Sequence, residues 1–160
     1  IDRLVKIANL NYEQTNVYPC DLNSAINEYY EVLKTSLAQY NIECVLDLEK
    51  DIPPVLSHSN HLYQIINNVL QLIRSLSEGG GGIIIQTRYN NETILLRFTS
   101  TVQISKEVNG TKKIKDEATL SVNIIKNLMK KHDGEMKLEG ARSGGSSITL
   151  SFPLKRKLKR

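Results

Sequence analysis

Apolar residues recur along this chain with two distinct periods. Leu22, Ile26, Tyr29, Leu33, Leu37 and Tyr40 fall at steps of three and four, which predicts a helix over 21–40 with Asp21 as its cap. Asn23, Asn27, Glu31 and Lys34 fall elsewhere, toward water, so one face is made for burial against a sheet. Leu62, Ile65, Ile66, Val69, Leu70, Ile73 and Leu76 form a wider stripe, predicting a well-buried helix over 60–77 capped by Ser59. Val122, Ile125, Leu128 and Met129 predict a third helix over 118–132. Residues 1–12 carry the same spacing at Ile1, Leu4, Val5, Ala8 and Tyr12.

The second period is two. Ile42, Cys44, Leu46 and Leu48 alternate with polar residues and predict a half-buried strand that Pro53-Pro54 ends. GIIIQTRY and TILLRFTS read as a hairpin across Asn90-Asn91-Glu92. Two more strands are expected near 135–139 and 146–152, joined by ARSGG. Gly79–Gly82 is a turn, because four glycines cost too much inside a regular element. Residues 103–117 are polar and lysine-rich and read as a loop. Three amphipathic helices and five strands predict an α/β two-layer sandwich, its mixed sheet covered on one face by the helices.

Composition adds limits. Apolar residues make up 40% and charged residues 24%, ordinary values for a globular chain of 160 residues with a real core. No apolar run approaches the roughly 20 residues of a membrane helix, and IDRLVKIANL is too short and charged for a signal peptide. The absence of a starting Met predicts a piece of a longer, cytoplasmic or membrane-anchored protein. Cys20 and Cys44 have no metal spacing and read as reduced thiols. The net charge of +4 comes from KRKLKR at 155–160, which holds five cations; without it 16 basic face 17 acidic side chains. The tail reads as solvated, with an acidic partner or a membrane surface as its other use. No nucleic-acid motif is present, and the tyrosines fall on helix stripes rather than on a stacking surface. His58 and His61 lack a third ligand and read as surface residues.

Two stretches carry a resemblance. DIPPVLSHSNHLYQIINNVLQLIRSLSEGGGG holds Leu62, Gln64, Ile65, Ile66, Asn68, Val69 and Leu70 in the pattern of an N-box helix. LSVNIIKNLMKKHDGEMKLEGARSGGSSITLSFPL carries a His132-Asp133-Gly134 turn and Gly-Gly-Ser-Ser before a strand ending Phe152-Pro153-Leu154. In both, the chain resembles the C-terminal ATP-binding module of bacterial sensor histidine kinases, of the ATPase group shared with gyrase, a mismatch-repair protein and a heat-shock chaperone. The resemblance implies a histidine-kinase ATPase-like domain at 21–154. Residues 1–12 would then end a dimerisation-hairpin helix, residues 13–20 would form a linker and residues 155–160 a basic tail. ATP and magnesium are the ligands it implies, a kinase or a response regulator the partner, and homodimerisation through upstream helices the assembly.

The motifs that hold nucleotide in such modules are mostly replaced. Asn68 matches the first N-box Asn, but the metal-holding position falls on Leu72, which offers no oxygen ligand. Asn67 points about 100° away around the helix. The adenine Asp falls on Ser100, and the glycines after it on Val102 and Ile104. The second glycine box falls on residues 117–122, including Thr119 and Ser121, with no glycine. Gly144, Gly145, Ser146 and Ser147 match the third box, although a hairpin turn also calls for glycine there. Losing a charge-assisted hydrogen bond costs roughly 1.5–3 kcal/mol. With the lost metal ligand and the obstructed phosphate loop the total passes about 4 kcal/mol, roughly a thousandfold in affinity. The expectation is therefore a pseudokinase or regulatory module of two-component signalling, with no ATP, no metal and no catalytic residue of its own. An active kinase with a divergent site, lysines 106, 112, 113 and 115 attracting phosphate, is the alternative. So is a phosphotransferase relaying phosphate through an upstream histidine.

Overall fold

The computed structural model describes residues 17–75, 80–101, 112–140 and 145–154. The expectations for 1–12 and 155–160 lie outside these residues. The described chain runs β1 (Tyr18–Cys20), α1 (Leu22–Ala38), β2 (Ile42–Leu48), β3 (Val55–Ser57), α2 (Ser59–Ser75), β4 (Gly81–Tyr89), β5 (Thr93–Ser100), α3 (Lys112–Lys131), β6 (Glu135–Gly140) and β7 (Ser146–Pro153). Five strands form one sheet in the order β2-β4-β5-β7-β6. Only β2 and β4 are parallel, and β3 with α2 makes the crossover between them. The three helices cover one face, as the patterning predicts.

The core lies between the layers. Ile83 and Ile85 of β4, Ile94, Leu96 and Phe98 of β5, and Ile148, Leu150 and Phe152 of β7 all point to the helical side. Leu22, Ile26, Leu33 and Leu37 of α1 and Leu62, Ile65, Val69, Leu72 and Ile73 of α2 meet them from above. The alternation seen in the sequence is thus the two faces of the sheet, one packed and one open to water.

The structure departs from the sequence reading in several places. Residues 18–20, read as part of a connector, form β1, which pairs antiparallel with β3 in a separate small sheet. Three-residue strands are too short to show alternation. Residues 112–117, read as loop, are the first turns of α3. The stretch KKIKDE is rich in straight-chain helix formers, so its polarity hid its propensity. Asn23, expected in water, donates from Nδ2 to the Glu49 carbonyl at 2.7 Å and accepts from Thr87 Oγ1 at 2.8 Å. It thereby satisfies the fully buried Thr87 hydroxyl. Tyr40 lies past the end of α1 and is exposed, with the Arg74 guanidinium over its ring.

Asp21 caps α1 as expected, accepting from the Ser24 N–H at 3.1 Å. At α2 the cap is one residue earlier than expected: His58 Nδ1 accepts from the Asn60 N–H at 3.1 Å. The β4–β5 hairpin closes at Asn90-Asn91-Glu92, where Asn90 Oδ1 accepts from the Thr93 N–H and Asn91 takes a φ of 76°. Among the described residues, no helix is long and apolar enough to cross a membrane.

Candidate functional site

The chain's topology gathers the sequence-predicted positions at one end of the sandwich. The start of β4, the end of β5 and the start of β7 share one end of the sheet, and there the chain arrives from α2 and leaves for α3. Ser100 on β5 pairs in register with Ser146 on β7, so these two positions are neighbours. Gly145 is immediately before Ser146. Its φ is +108°, and a Cβ there would lie 2.7 Å from the Ser100 carbonyl oxygen. Glycine is required at that point by the close crossing of β5, which accounts for this part of the third glycine box without any ligand.

The helical side of the site combines apolar side chains with a few buried hydroxyls. Leu72, at the metal-holding position, has 0% exposure. It is packed in the same cluster as Leu62, Ile65, Val69 and Ile73. Asn68 is half-buried, and its Nδ2 donates to the Gln64 carbonyl of its own helix at 2.7 Å. Its amide is turned back on the helix one turn earlier. Asn67 is exposed on the other side of α2, in the shallow crease against Val32 and Ser36 of α1. Asn67 and Leu72 thus lie on different sides of the helix. On α3, Ala118 and Ser121 are buried while Thr119 and Leu120 face water. Ser100 and Ser146 are both buried. Val102, Ile104 and Gly144 lie outside the described residues, as does the side chain of Glu117. Among the described residues no group of three His, Cys, Asp or Glu side chains is arranged to hold a metal ion.

The sequence reading missed a polar cluster at the opposite end of α2. His58, expected at the surface, is 9% exposed, and His132 is 1% exposed. His58, His61 and His132 form a chain of rings with centroids 5.6 Å and 6.0 Å apart, ending edge-on against Phe152. His132 Nδ1 meets the Leu128 carbonyl at 2.7 Å, and its Nε2 is hydrogen-bonded to Ser57 Oγ. This bond fastens the small β1–β3 sheet to the end of α3. His132 thus packs the end of α3 against the small sheet and Phe152. The signal in the sequence was a histidine at each of two helix ends, which only the fold brings together.

Both cysteines are free thiols. Burial pushes Cys44 up to about 11 and raises Cys20 as well. Neither is set up as a nucleophile, which needs a lowered thiol pKa.

No family model matches the chain. Sporulation kinase E of Bacillus subtilis (strain 168) is 21% identical over 160 residues, covering 95% of this chain and 21% of the relative. The chain therefore spans about a fifth of that protein's length. The catalytic domain of the histidine kinase ThkA superposes with a TM-score of 0.73 at 16% identity, over 89% of this chain and 99% of that one. The mycobacterial sensor histidine kinase MprB gives 0.67 at 19% identity, over 86% and 97%. At these identities the likeness establishes the architecture, and the fold of this chain is that of the histidine-kinase catalytic domain.

Proposed function

We propose that this chain is a regulatory module of two-component signalling, a pseudokinase that keeps the histidine-kinase fold without binding ATP. The observation that carries the reading is Leu72. The position that would present an oxygen to magnesium holds a side chain sealed in the hydrophobic core. A hard cation needs oxygen ligands, and this position offers a methyl group. Ser100 adds to it: a neutral hydroxyl stands where a carboxylate would take the adenine amino group, without the charge-assisted bond. Asn68, the remaining amide, is engaged by its own helix.

In this reading the domain works as a rigid platform. Its partners are a histidine kinase or a response regulator, and it dimerises through helices upstream of the ATPase-like fold. The test is isothermal titration of the full chain with Mg-ATP. The expected result is no heat of binding up to millimolar nucleotide. Saturable binding at micromolar concentration would overturn the proposal.

A further inference from the structure

The open face of the sheet carries a trough of about 550 Å³ that reaches Ser100, Gly145 and Ser146 at the sheet end and extends over strand residues outside the nucleotide positions. It lies on the side away from the helices, and its shape follows from the register. One row across the strands reads Val45, Ile84, Thr99, Ser147 and Glu139. The next row toward the sheet end begins Glu43 and Gly82, followed by Thr101, whose N–H bonds the Gly82 carbonyl. The middle of both rows is therefore glycine and small hydroxyl residues, while larger side chains stand at the edges. The sheet is thus one side-chain layer lower along its centre. Val45 is 55% exposed and Ile84 41%, so one wall is apolar and uncovered.

Arg97 stands in the following row, beside Thr149, and closes the trough. Its Nε donates to Thr149 Oγ1 at 3.3 Å, and no carboxylate of the described residues pairs with it. Of the other charges on this face, Asp47 and Glu139 are paired, while Glu43 and Glu139 themselves line the trough. Asp47 is bonded to Arg88 at 2.6 Å, and that guanidinium, with Gln86, holds its carboxyl below the usual range. Glu139 is paired with Lys137 at 3.3 Å. Glu43 is two rows from Arg97, at the opposite end.

We propose that this trough is a binding site for a small, flat amphiphilic anion. Its apolar body lies over Val45 and Ile84, and its acidic group is met by Arg97 and the neighbouring hydroxyls. The volume is within the range of small-molecule sites, roughly 300–1,000 Å³. A guanidinium matches the planar fork of a carboxylate or sulfonate. Arg97, Val45, Ile84 and Thr99, which carry the recognition, are not nucleotide positions, although Ser100, Gly145, Ser146 and Ser147 also line the trough.

The probe is 1-anilinonaphthalene-8-sulfonate, titrated by fluorescence into the full chain at pH 7.5, with 2-naphthoate as competitor. The wild type should bind one equivalent saturably, and naphthoate should displace it. Arg97→Ala should weaken binding at least tenfold, and Thr99→Phe, which fills the trough floor from an exposed position, should do the same. Arg88→Ala removes the same charge from the same face outside the trough and should leave binding within twofold. Binding of several equivalents, or equal losses in Arg97→Ala and Arg88→Ala, would overturn the proposal. So would binding that neither Arg97→Ala nor Thr99→Phe weakens.

Discussion

Replacing Leu72 by asparagine tests whether the core has closed over the metal-holding position. If the position still opened on a solvated pocket, the amide would be tolerated. With no exposure, it must go into the core instead. Truncating a buried leucine costs about 2–5 kcal/mol, and an unpartnered amide in apolar surroundings adds about 1–3 kcal/mol. The expected loss is therefore on the order of 3–8 kcal/mol, a large part of the roughly 5–15 kcal/mol that holds a domain together. Leu72→Met conserves volume and should cost less than about 1.5 kcal/mol. Urea unfolding followed by circular dichroism at 25 °C measures both. The same experiment in 1 mM Mg-ATP adds a second readout. A micromolar site would stabilise the fold by about 4 kcal/mol at a thousandfold excess over Kd. Neither protein should respond. A Leu72→Asn variant that loses under about 1 kcal/mol and gains stability from Mg-ATP would refute the reasoning.

Further expectations follow from the same contacts. Gly145→Ala should lower stability by about 1–3 kcal/mol, read as a fall in Tm, because its φ of +108° is unfavourable and the new Cβ meets the Ser100 carbonyl oxygen at 2.7 Å. His132→Ala should cost about 2–4 kcal/mol in urea unfolding, since it leaves a cavity and removes the side-chain partner of the Leu128 carbonyl and one of the two partners of the Ser57 hydroxyl. Iodoacetamide at pH 8 should modify Cys44 on the order of a hundredfold more slowly than a free thiol, because little thiolate forms when burial holds its pKa near 11. That raised value also fixes a sign. Folding keeps the Cys44 thiol protonated, so its contribution is intact below pH 9 and is lost as pH rises toward 11. The wild type should lose stability across that window, and Cys44→Ala should lose less.

The sequence made the two-layer architecture legible because each long element carries its own period over several turns or residues. The α2 stripe and the β5 and β7 alternations needed no tertiary information. What stayed hidden depends on residues distant in sequence. Asn23 is polar on a helix and looks solvated until Thr87, 64 residues away, is brought beneath it. His58 looks like a surface residue until α3 places His132 across from it. The trough is legible only when glycine, threonine and serine on separate strands fall in one row. At the nucleotide positions the residue types were readable at once. Their meaning needed burial values, since a leucine at position 72 obstructs a pocket only if it is packed.

The pattern of replacement argues for a lost constraint with the fold retained, and this is the step on which the functional reading rests. Nucleotide sites keep polar groups and bare backbone near the core at a cost in stability. On the proposed reading, one such position holds the fully buried Leu72, and the N-box amide of Asn68 bonds its own helix. The one glycine of the third box within the described residues is required by the β5 crossing alone. Leu72, Asn68 and Gly145 are accounted for by folding; the polar groups kept at these positions are the buried hydroxyls of Ser100, Ser121 and Ser146, which are neutral.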